Sequence, residues 1–169
     1  VRNAAEAGVK YLTVYAFSTE NWKRSEEEVS GIMKLLAKYL QEALRDMEKN
    51  HVCFRFFGDL SRLSPELRKL CQDAEKRSSE YHEVQVNFCL NYGGRDELVH
   101  AVRDIVREGI SPEEITEDAI SERIYTKDYP DPELVIRPSG EYRLSNFLIW
   151  QSAYAEYWFS DILWPDFTE

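Results

Sequence analysis

The chain has 169 residues, of which 43% are hydrophobic and 31% are charged, and its formal net charge is −10. This composition is typical of a folded globular domain, and the acidic balance argues against nucleic acid as the main partner, because phosphate backbones need a basic surface. The 3 cysteines show no Cys-x-x-Cys spacing. We interpret them as buried thiols of a protein from a reducing compartment, and we expect a cytoplasmic location.

Strand and helix signals alternate along the chain. Runs of β-branched and aromatic residues predict strands at 11–17, 52–57, 84–90, 134–136 and 156–159. Helices are predicted to follow the capping box of Ser25 and Glu28, the pair Ser64-Pro65, and the pair Gly93-Gly94. This alternation favours an α/β fold, with one domain and a mostly parallel central sheet flanked by helices.

Polar segments directly follow four of the predicted strands, at 18–22, 58–59, 91–95 and 137–145. In parallel sheets, ligands bind beyond the carboxyl ends of the strands, so we expect the functional site at this edge. The segment 91–95, Asn-Tyr-Gly-Gly-Arg, we interpret as a tight turn between a strand and a helix.

The segment from 133 to 151 reads ELVIRPSGEYRLSNFLIWQ and carries the strongest signal. It places Arg137 and Arg143 in one turn together with Ser139, Gly140 and Ser145. Two guanidinium groups with hydroxyls and free backbone N–H groups suit a diphosphate. The alternative is an ordinary surface turn with two solvated arginines.

Two further segments have unusual residues. Residues 16–24 read AFSTENWKR, which is either a ligand loop or a polar loop closing a strand over Trp22. Residues 154–159 read YAEYWF, and Glu156 is a carboxylate within this aromatic stretch, which is costly to bury without a partner. It is either a metal ligand or the partner of an arginine.

These segments, with the Trp-Pro-Asp-Phe run at 164–167, resemble in kind and order those of cis-prenyltransferases of the undecaprenyl diphosphate synthase type. The resemblance implies that Arg137, Arg143 and Ser145 hold the diphosphate of isopentenyl diphosphate. It implies further roles for the other segments: activation or positioning of isopentenyl diphosphate by Ser18 and Asn21, a wall of the site by Trp22, a phosphate contact by Arg24, and Mg²⁺ binding by Glu156. Glu28 is explained by its capping box.

The same resemblance implies repeated condensation of isopentenyl diphosphate onto farnesyl diphosphate, giving a long Z-polyprenyl diphosphate such as the undecaprenyl carrier of cell-wall synthesis. The growing chain needs an apolar tunnel, which we expect between the sheet and the helix after Ser25, along Ile32, Met33, Leu36 and Leu40. Val84 is expected at its closed end and Ala16 nearer the entrance. A homodimer with the segment near Arg143 at its interface, and transient contact with the membrane surface during product release, are also implied.

The sequence departs from the family pattern at three places. Pro138 stands where a threonine is usual, which removes one N–H donor. The family's Asp-Gly-Asn-Gly-Arg motif and its last helix do not occur, so we expect residues 1–169 to be a catalytic core truncated at both ends and inactive alone. Two alternatives remain at this point: a non-catalytic subunit of such an enzyme, and an α/β protein that binds a nucleotide or a sugar phosphate.

Overall fold

The computed structural model describes residues 1–166, with the side chains of Arg2 and of residues 46–50 left undescribed. Phe167 of the Trp-Pro-Asp-Phe run therefore lies outside the described residues. The chain divides into two compact units, Val1–Tyr92 and Gly93–Glu169.

The first unit is built on a three-stranded parallel sheet with β3 in the middle. Its elements in chain order are α1 (Arg2–Glu6), β1 (Tyr11–Ser18), α2 (Glu26–Asn50), β2 (Val52–Phe57), α3 (Pro65–Ser78) and β3 (Val84–Tyr92). Each strand pair is parallel because a helix returns the chain to the same end of the sheet.

The two long helices of this unit begin where the sequence predicts. The Ser25 N–H donates to Glu28 Oε2 at 3.2 Å, and the Glu28 N–H donates back to Ser25 Oγ at 3.3 Å, which is the predicted capping box. At α3, Ser64 Oγ accepts from the Leu67 N–H at 3.2 Å and Pro65 takes the first helical position.

The core of the first unit lies between one face of the sheet and the helices α2 and α3. It is formed by buried apolar side chains from all of these elements, including Leu40, Leu44, Phe54, Phe56, Leu67, Cys71, Val84, Val86 and Leu90. All 3 cysteines of the chain are buried and free.

Among its described residues, the second unit contains a two-stranded parallel sheet and two α-helices. Its elements are α4 (Gly94–Glu108), α5 (Glu117–Ser121), β4 (Leu134–Arg137) and β5 (Glu156–Phe159). Helix α4 buries Glu97, Ala101 and Ile105. Its valines at 99, 102 and 106 are instead exposed, by 46%, 49% and 71%.

The predicted α/β class, with parallel strands flanked by helices, is confirmed. In the described part of the chain the five strands form a three-stranded and a two-stranded sheet. Among the described residues, no helix combines the length and the apolar character needed to cross a membrane.

Candidate functional site

In the first unit, the carboxyl ends of all three strands are joined by one asparagine. Asn91 Oδ1, near the end of β3, accepts from the Trp22 indole Nε1–H at 2.6 Å. Asn91 Nδ2 donates to the Asp59 carbonyl oxygen at 2.7 Å, just after β2. The polar segments that follow these strands are therefore in contact, as expected from the parallel sheet.

Ser18 and Asn21, the two predicted catalytic residues, cap the same short turn. Ser18 is the last residue of β1, and its backbone N–H donates to Asn21 Oδ1 at 2.9 Å. The Ser18 side chain accepts in return from the Asn21 backbone N–H. Each residue thus fixes the side chain of the other, and both side chains lie at the carboxyl end of β1.

The ring of Trp22 is held on several sides. The Phe17 ring contacts it edge-on, with centroids 5.1 Å apart and an interplanar angle of 74°. The Arg62 guanidinium carbon lies 4.5 Å from its centroid, which is within cation–π range. Trp22 also lines a groove of about 490 Å³ between α2 and α3, with Met33, Ala37, Leu63, Leu67 and Leu70 among its apolar lining.

This groove lies beside part of the predicted tunnel wall. Met33 lines it, whereas Leu40 is 4% exposed within the core, and Ile32 and Leu36 pack against that core. Val84 is 1% exposed at the start of β3, at the opposite end of that strand from Asn91. Ala16 is exposed and falls at a bulge in the pairing of β1 with β3.

Arg24, the predicted phosphate ligand after Trp22, has a partner on α2. Its Nη1 lies 3.6 Å from Glu28 Oε1, and both side chains are about half exposed. Hydrogen bonds from Ser25, helped by Arg24, lower the pKa of Glu28 below its usual value. Glu28 is thus an ionised helix cap that pairs with Arg24.

In the second unit, β4 delivers Arg137 into the predicted turn. Ser139 has a φ of 78°, and the next residue, Gly140, has a φ of 67°. The Ser139 N–H donates to the Ile162 carbonyl at 2.7 Å, and the Gly140 N–H donates to the Ser160 carbonyl at 2.9 Å. The free backbone N–H groups expected in this turn are therefore not found at these two residues, because carbonyls of the chain after β5 accept both bonds.

The side chains of Arg143 and Ser145, later in this turn, are exposed, and Asn146 fixes the segment that carries them. The Arg143 side chain is 66% exposed and forms an ion pair with Glu141. Ser145 is exposed and has a φ of 51°. Next to it, Asn146 accepts from the Gly94 N–H at 2.8 Å through its carbonyl and from the Arg95 N–H at 2.9 Å through Oδ1. The start of α4 therefore holds the segment that carries Arg143 and Ser145.

The carboxylate of Glu156 is exposed and is not part of the core, so the cost of burial gives no reason for a metal or an arginine partner. Glu156 begins β5 opposite Leu134, whereas Arg137 ends β4 opposite Phe159. Three residues of strand separate these two positions, which is about 10 Å along the sheet. Among the side chains that the structure describes, His, Cys, Asp and Glu form no group of three that could hold a metal ion.

Comparison with known proteins identifies relatives of this chain. A family model described as "Putative undecaprenyl diphosphate synthase" matches residues 1–169. The isoprenyl transferase of Clostridium tetani is 45% identical over 175 residues, covering 99% of this chain and 67% of that protein. The isoprenyl transferase of Rhizobium meliloti is 48% identical over 172 residues, covering 99% and 70%. The chain belongs to the undecaprenyl diphosphate synthase family.

Solved structures agree with this cis-prenyltransferase assignment. A probable undecaprenyl diphosphate synthase from Campylobacter jejuni matches with a TM-score of 0.90 at 36% identity, covering 99% of this chain and 78% of that one. Lavandulyl diphosphate synthase from Lavandula x intermedia, in complex with dimethylallyl diphosphate, matches with a TM-score of 0.92 at 33% identity, covering 99% and 75%. The resemblance seen in the sequence is confirmed.

Two features of this cis-prenyltransferase were missed in the sequence. The first is the contact of Asn91 with Trp22, since 91–95 was interpreted as a turn alone. The second is a buried polar cluster in the second unit, where Glu97 Oε2 accepts from Gln151 Nε2 at 3.0 Å and the same nitrogen donates to Thr126 Oγ1 at 2.9 Å. The only signal for it is that Glu97 falls on the buried face of α4.

Proposed function

We propose that this cis-prenyltransferase condenses isopentenyl diphosphate repeatedly with farnesyl diphosphate to make a long Z-polyprenyl diphosphate, with undecaprenyl diphosphate, the cell-wall carrier lipid, as the product. The observation that carries the proposal is the pair of arginines, Arg137 and Arg143, in the turn after β4. The complex of its lavender relative with dimethylallyl diphosphate supports an allylic diphosphate as one substrate.

In this proposal, Arg137, Arg143 and Ser145 bind the diphosphate of isopentenyl diphosphate through their side chains. Side chains must do so because the N–H groups of Ser139 and Gly140 already donate to carbonyls of the same unit. Pro138, which is buried, has no N–H to offer. The Arg143–Glu141 ion pair is exposed, so a diphosphate can compete for Arg143 at small cost.

The reaction breaks the bond between C1 of the allylic chain and its diphosphate, and it joins that carbon to the terminal alkene carbon of isopentenyl diphosphate. The resulting cation then loses one proton. Ser18 and Asn21 position or activate isopentenyl diphosphate for this step, and their mutual hydrogen bonds fix both side chains before substrate arrives. Arg24 adds a phosphate contact when it leaves Glu28.

Mg²⁺ is the proposed cofactor, and Glu156 is the proposed ligand within this chain. An exposed carboxylate fits one position of a magnesium shell, which typically takes one or two carboxylates and completes itself with water and phosphate oxygens. When bound, the ion neutralises diphosphate charge.

The groove between α2 and α3 is the proposed site of the growing prenyl chain. Its apolar lining suits an isoprenoid, and Trp22 forms part of its wall. We also propose that the enzyme acts as a homodimer in the cytoplasm and contacts the membrane surface transiently, where a long apolar product is released.

The test is to titrate both substrates separately in steady-state assays of Arg137→Ala and Arg143→Ala, each made in an enzyme that also carries the Asp-Gly-Asn-Gly-Arg motif. Each arginine makes a charge-assisted contact of roughly 1.5–3 kcal/mol. Loss of one should therefore raise the KM for isopentenyl diphosphate about ten- to a hundredfold, with little change for farnesyl diphosphate. Lysine should not restore the contact fully, because an ammonium group cannot make the two-pronged bond of a guanidinium.

Arg107→Ala is the matched control, since Arg107 is an exposed arginine of the same unit that pairs with Asp104 on α4. It should leave both KM values unchanged. A rise confined to the KM for farnesyl diphosphate in the Arg137 and Arg143 variants would show that the two diphosphate sites have been assigned in reverse.

A further inference from the structure

We propose that Asn91 is a positioning residue that orients Trp22 for binding of the allylic chain. This inference rests on the proposed function, because Trp22 is there a wall of the prenyl site. The interpretation of Asn91 as a turn residue explains its position but not its side chain. Both ends of its carboxamide are used: the oxygen for the Trp22 indole and the nitrogen for the Asp59 carbonyl.

The site of Asn91 is built to hold this amide in one orientation. Asn91 is 2% exposed and has a φ of 47°, a backbone conformation that asparagine adopts more readily than most residues. The NH2 group of the carboxamide donates and its oxygen accepts. A flipped carboxamide would therefore point its NH2 group at the Trp22 N–H and its oxygen at the Asp59 carbonyl. The oxygen therefore has to point at the indole N–H.

The neighbouring strand end reinforces this arrangement. Gly58 has a φ of 126°, and a Cβ there would lie 2.1 Å from the Leu90 carbonyl oxygen. Only glycine lets the end of β2 approach β3 this closely. The Asp59 N–H also faces the Asn91 carbonyl at 3.4 Å. The closeness of the two strand ends places the Asp59 carbonyl where it can hold the Asn91 amide.

Trp22 is the ring that this amide orients. Phe17 contacts the ring edge-on and the Arg62 guanidinium lies within cation–π distance, and neither contact sets the direction of the indole N–H, whereas the 2.6 Å hydrogen bond at Nε1 fixes it. The ring borders the groove between α2 and α3. A change in its direction would alter the wall that meets the prenyl chain.

The experiment compares Asn91→Gly, Trp22→Phe and the double variant with the unmodified enzyme. Glycine tolerates the backbone conformation of position 91 and removes the whole side chain, including its carboxamide. Subtracting the emission of Trp22→Phe variants isolates the fluorescence of Trp22. We expect that emission to move to longer wavelength in Asn91→Gly, because the ring loses its fixed packing, and the KM for farnesyl diphosphate to rise about three- to tenfold.

The effects of Asn91→Gly and Trp22→Phe on the KM for farnesyl diphosphate should not be additive in the double variant, because both substitutions remove the same hydrogen bond. The matched control is Asn87→Gly, another buried asparagine of β3, whose amide accepts from Gln85 at 2.7 Å and donates to Thr13 at 3.0 Å. It should lower the melting temperature while leaving the Trp22 emission and both KM values unchanged. The KM for isopentenyl diphosphate should stay constant in every variant.

Unchanged Trp22 emission in Asn91→Gly, or additive effects of the two substitutions on the KM for farnesyl diphosphate, would overturn the positioning role. Absence of turnover with these two substrates by an enzyme extended to include the Asp-Gly-Asn-Gly-Arg motif would refute the proposed function instead. The emission result would still decide whether Asn91 orients Trp22, since it needs no substrate.

Discussion

Val84 and Ala16 show how differently two residues of the predicted chain-binding wall can be placed. Val84 is 1% exposed within the core of the first unit, whereas Ala16 is exposed at the bulge of β1. A smaller side chain at Val84 opens volume inside the unit, and a larger one at Ala16 adds volume outside the packed core. The two substitutions therefore test the two ends of the tunnel that the family resemblance implies.

Val84→Ala should lengthen the products and Ala16→Leu should shorten them, as measured by chromatography of the dephosphorylated polyprenols. Val84→Ala also loses buried methyl groups and should destabilise the protein by on the order of 1–3 kcal/mol. Ile105→Ala, another residue with 1% exposure but in the second unit, controls for lost stability alone and should leave product length unchanged. An identical product distribution in both variants would contradict the placement of Val84 and Ala16 along the tunnel.

Single residues were predictable where their contacts are local. Ser18 with Asn21, and Ser25 with Glu28, bond across three positions, so the sequence alone indicates their geometry. Trp22 and Asn91 are 69 positions apart, and no local pattern links them. The Ser139 N–H is taken by a carbonyl beyond β5. Long-range backbone pairing therefore decided which predicted phosphate donors are available.

At the scale of elements, helix α3 covers the open edge of β2. The Phe54 N–H donates to Ser78 Oγ at 2.9 Å, and the Phe56 N–H donates to Glu75 Oε1 at 3.0 Å. An edge strand otherwise presents such groups to other chains. The arrangement places a carboxylate in a half-buried position, and this burial raises the pKa of Glu75, although the Phe56 N–H and Arg55 act in the opposite direction.

Glu75→Gln should reduce the pH dependence of stability. Since the folded-state pKa of Glu75 lies above its ordinary value of 4.5, the folded state holds the proton more tightly than the unfolded state does. Stability from this group is present below pH 4.5 and is lost as the pH rises through the folded-state pKa. Glutamine still accepts from Phe56 without a charge, so the variant should be at least as stable as the parent at neutral pH.

The measurement is urea unfolding as a function of pH. Glu75→Ala leaves the Phe56 N–H unpaired and should cost about 1–3 kcal/mol. Glu66→Gln on the same helix is the control, and its effect on the pH dependence of stability should have the opposite sign. Backbone and Ser64 hydrogen bonds lower the pKa of Glu66, whereas burial raises that of Glu75. The contribution of Glu66 is present at neutral pH and is lost on acidification. A Glu75→Gln profile that matches the parent would remove Glu75 as a source of pH dependence.

The order of strands and helices was predictable because each element has a local signal, namely β-branched runs, capping boxes and Ser-Pro starts. The sequence did not predict which strands pair with each other. The five strands look alike in sequence, yet they form sheets of three and two in the described part of the chain. Likewise, the buried face of α4 carries Glu97 with Ala101 and Ile105, whereas Val99, Val102 and Val106 of the same helix are exposed.

At the scale of the whole molecule, net charge and exposed apolar side chains have opposite effects on the association of two copies of the chain. Two copies that each carry a net charge of −10 repel one another at low ionic strength. The second unit nevertheless exposes large apolar side chains, including Tyr142, Tyr154, Trp158, Leu163 and Trp164. Aromatic side chains of this kind supply much of the binding free energy of protein interfaces. The exposed apolar side chains therefore support the proposed homodimer, with its interface in the second unit.

Tyr154 is fully exposed, and Tyr154→Ser should weaken the dimer by about tenfold or more in sedimentation equilibrium. Tyr39→Ser on α2, where the tyrosine is 60% exposed in the first unit, should leave the dimer unchanged. Added salt should tighten association, because it screens the repulsion between two acidic copies and leaves apolar burial intact. Dissociation by salt would indicate an interface held by ion pairs instead, and an equal effect of both tyrosine substitutions would exclude the second unit as its location.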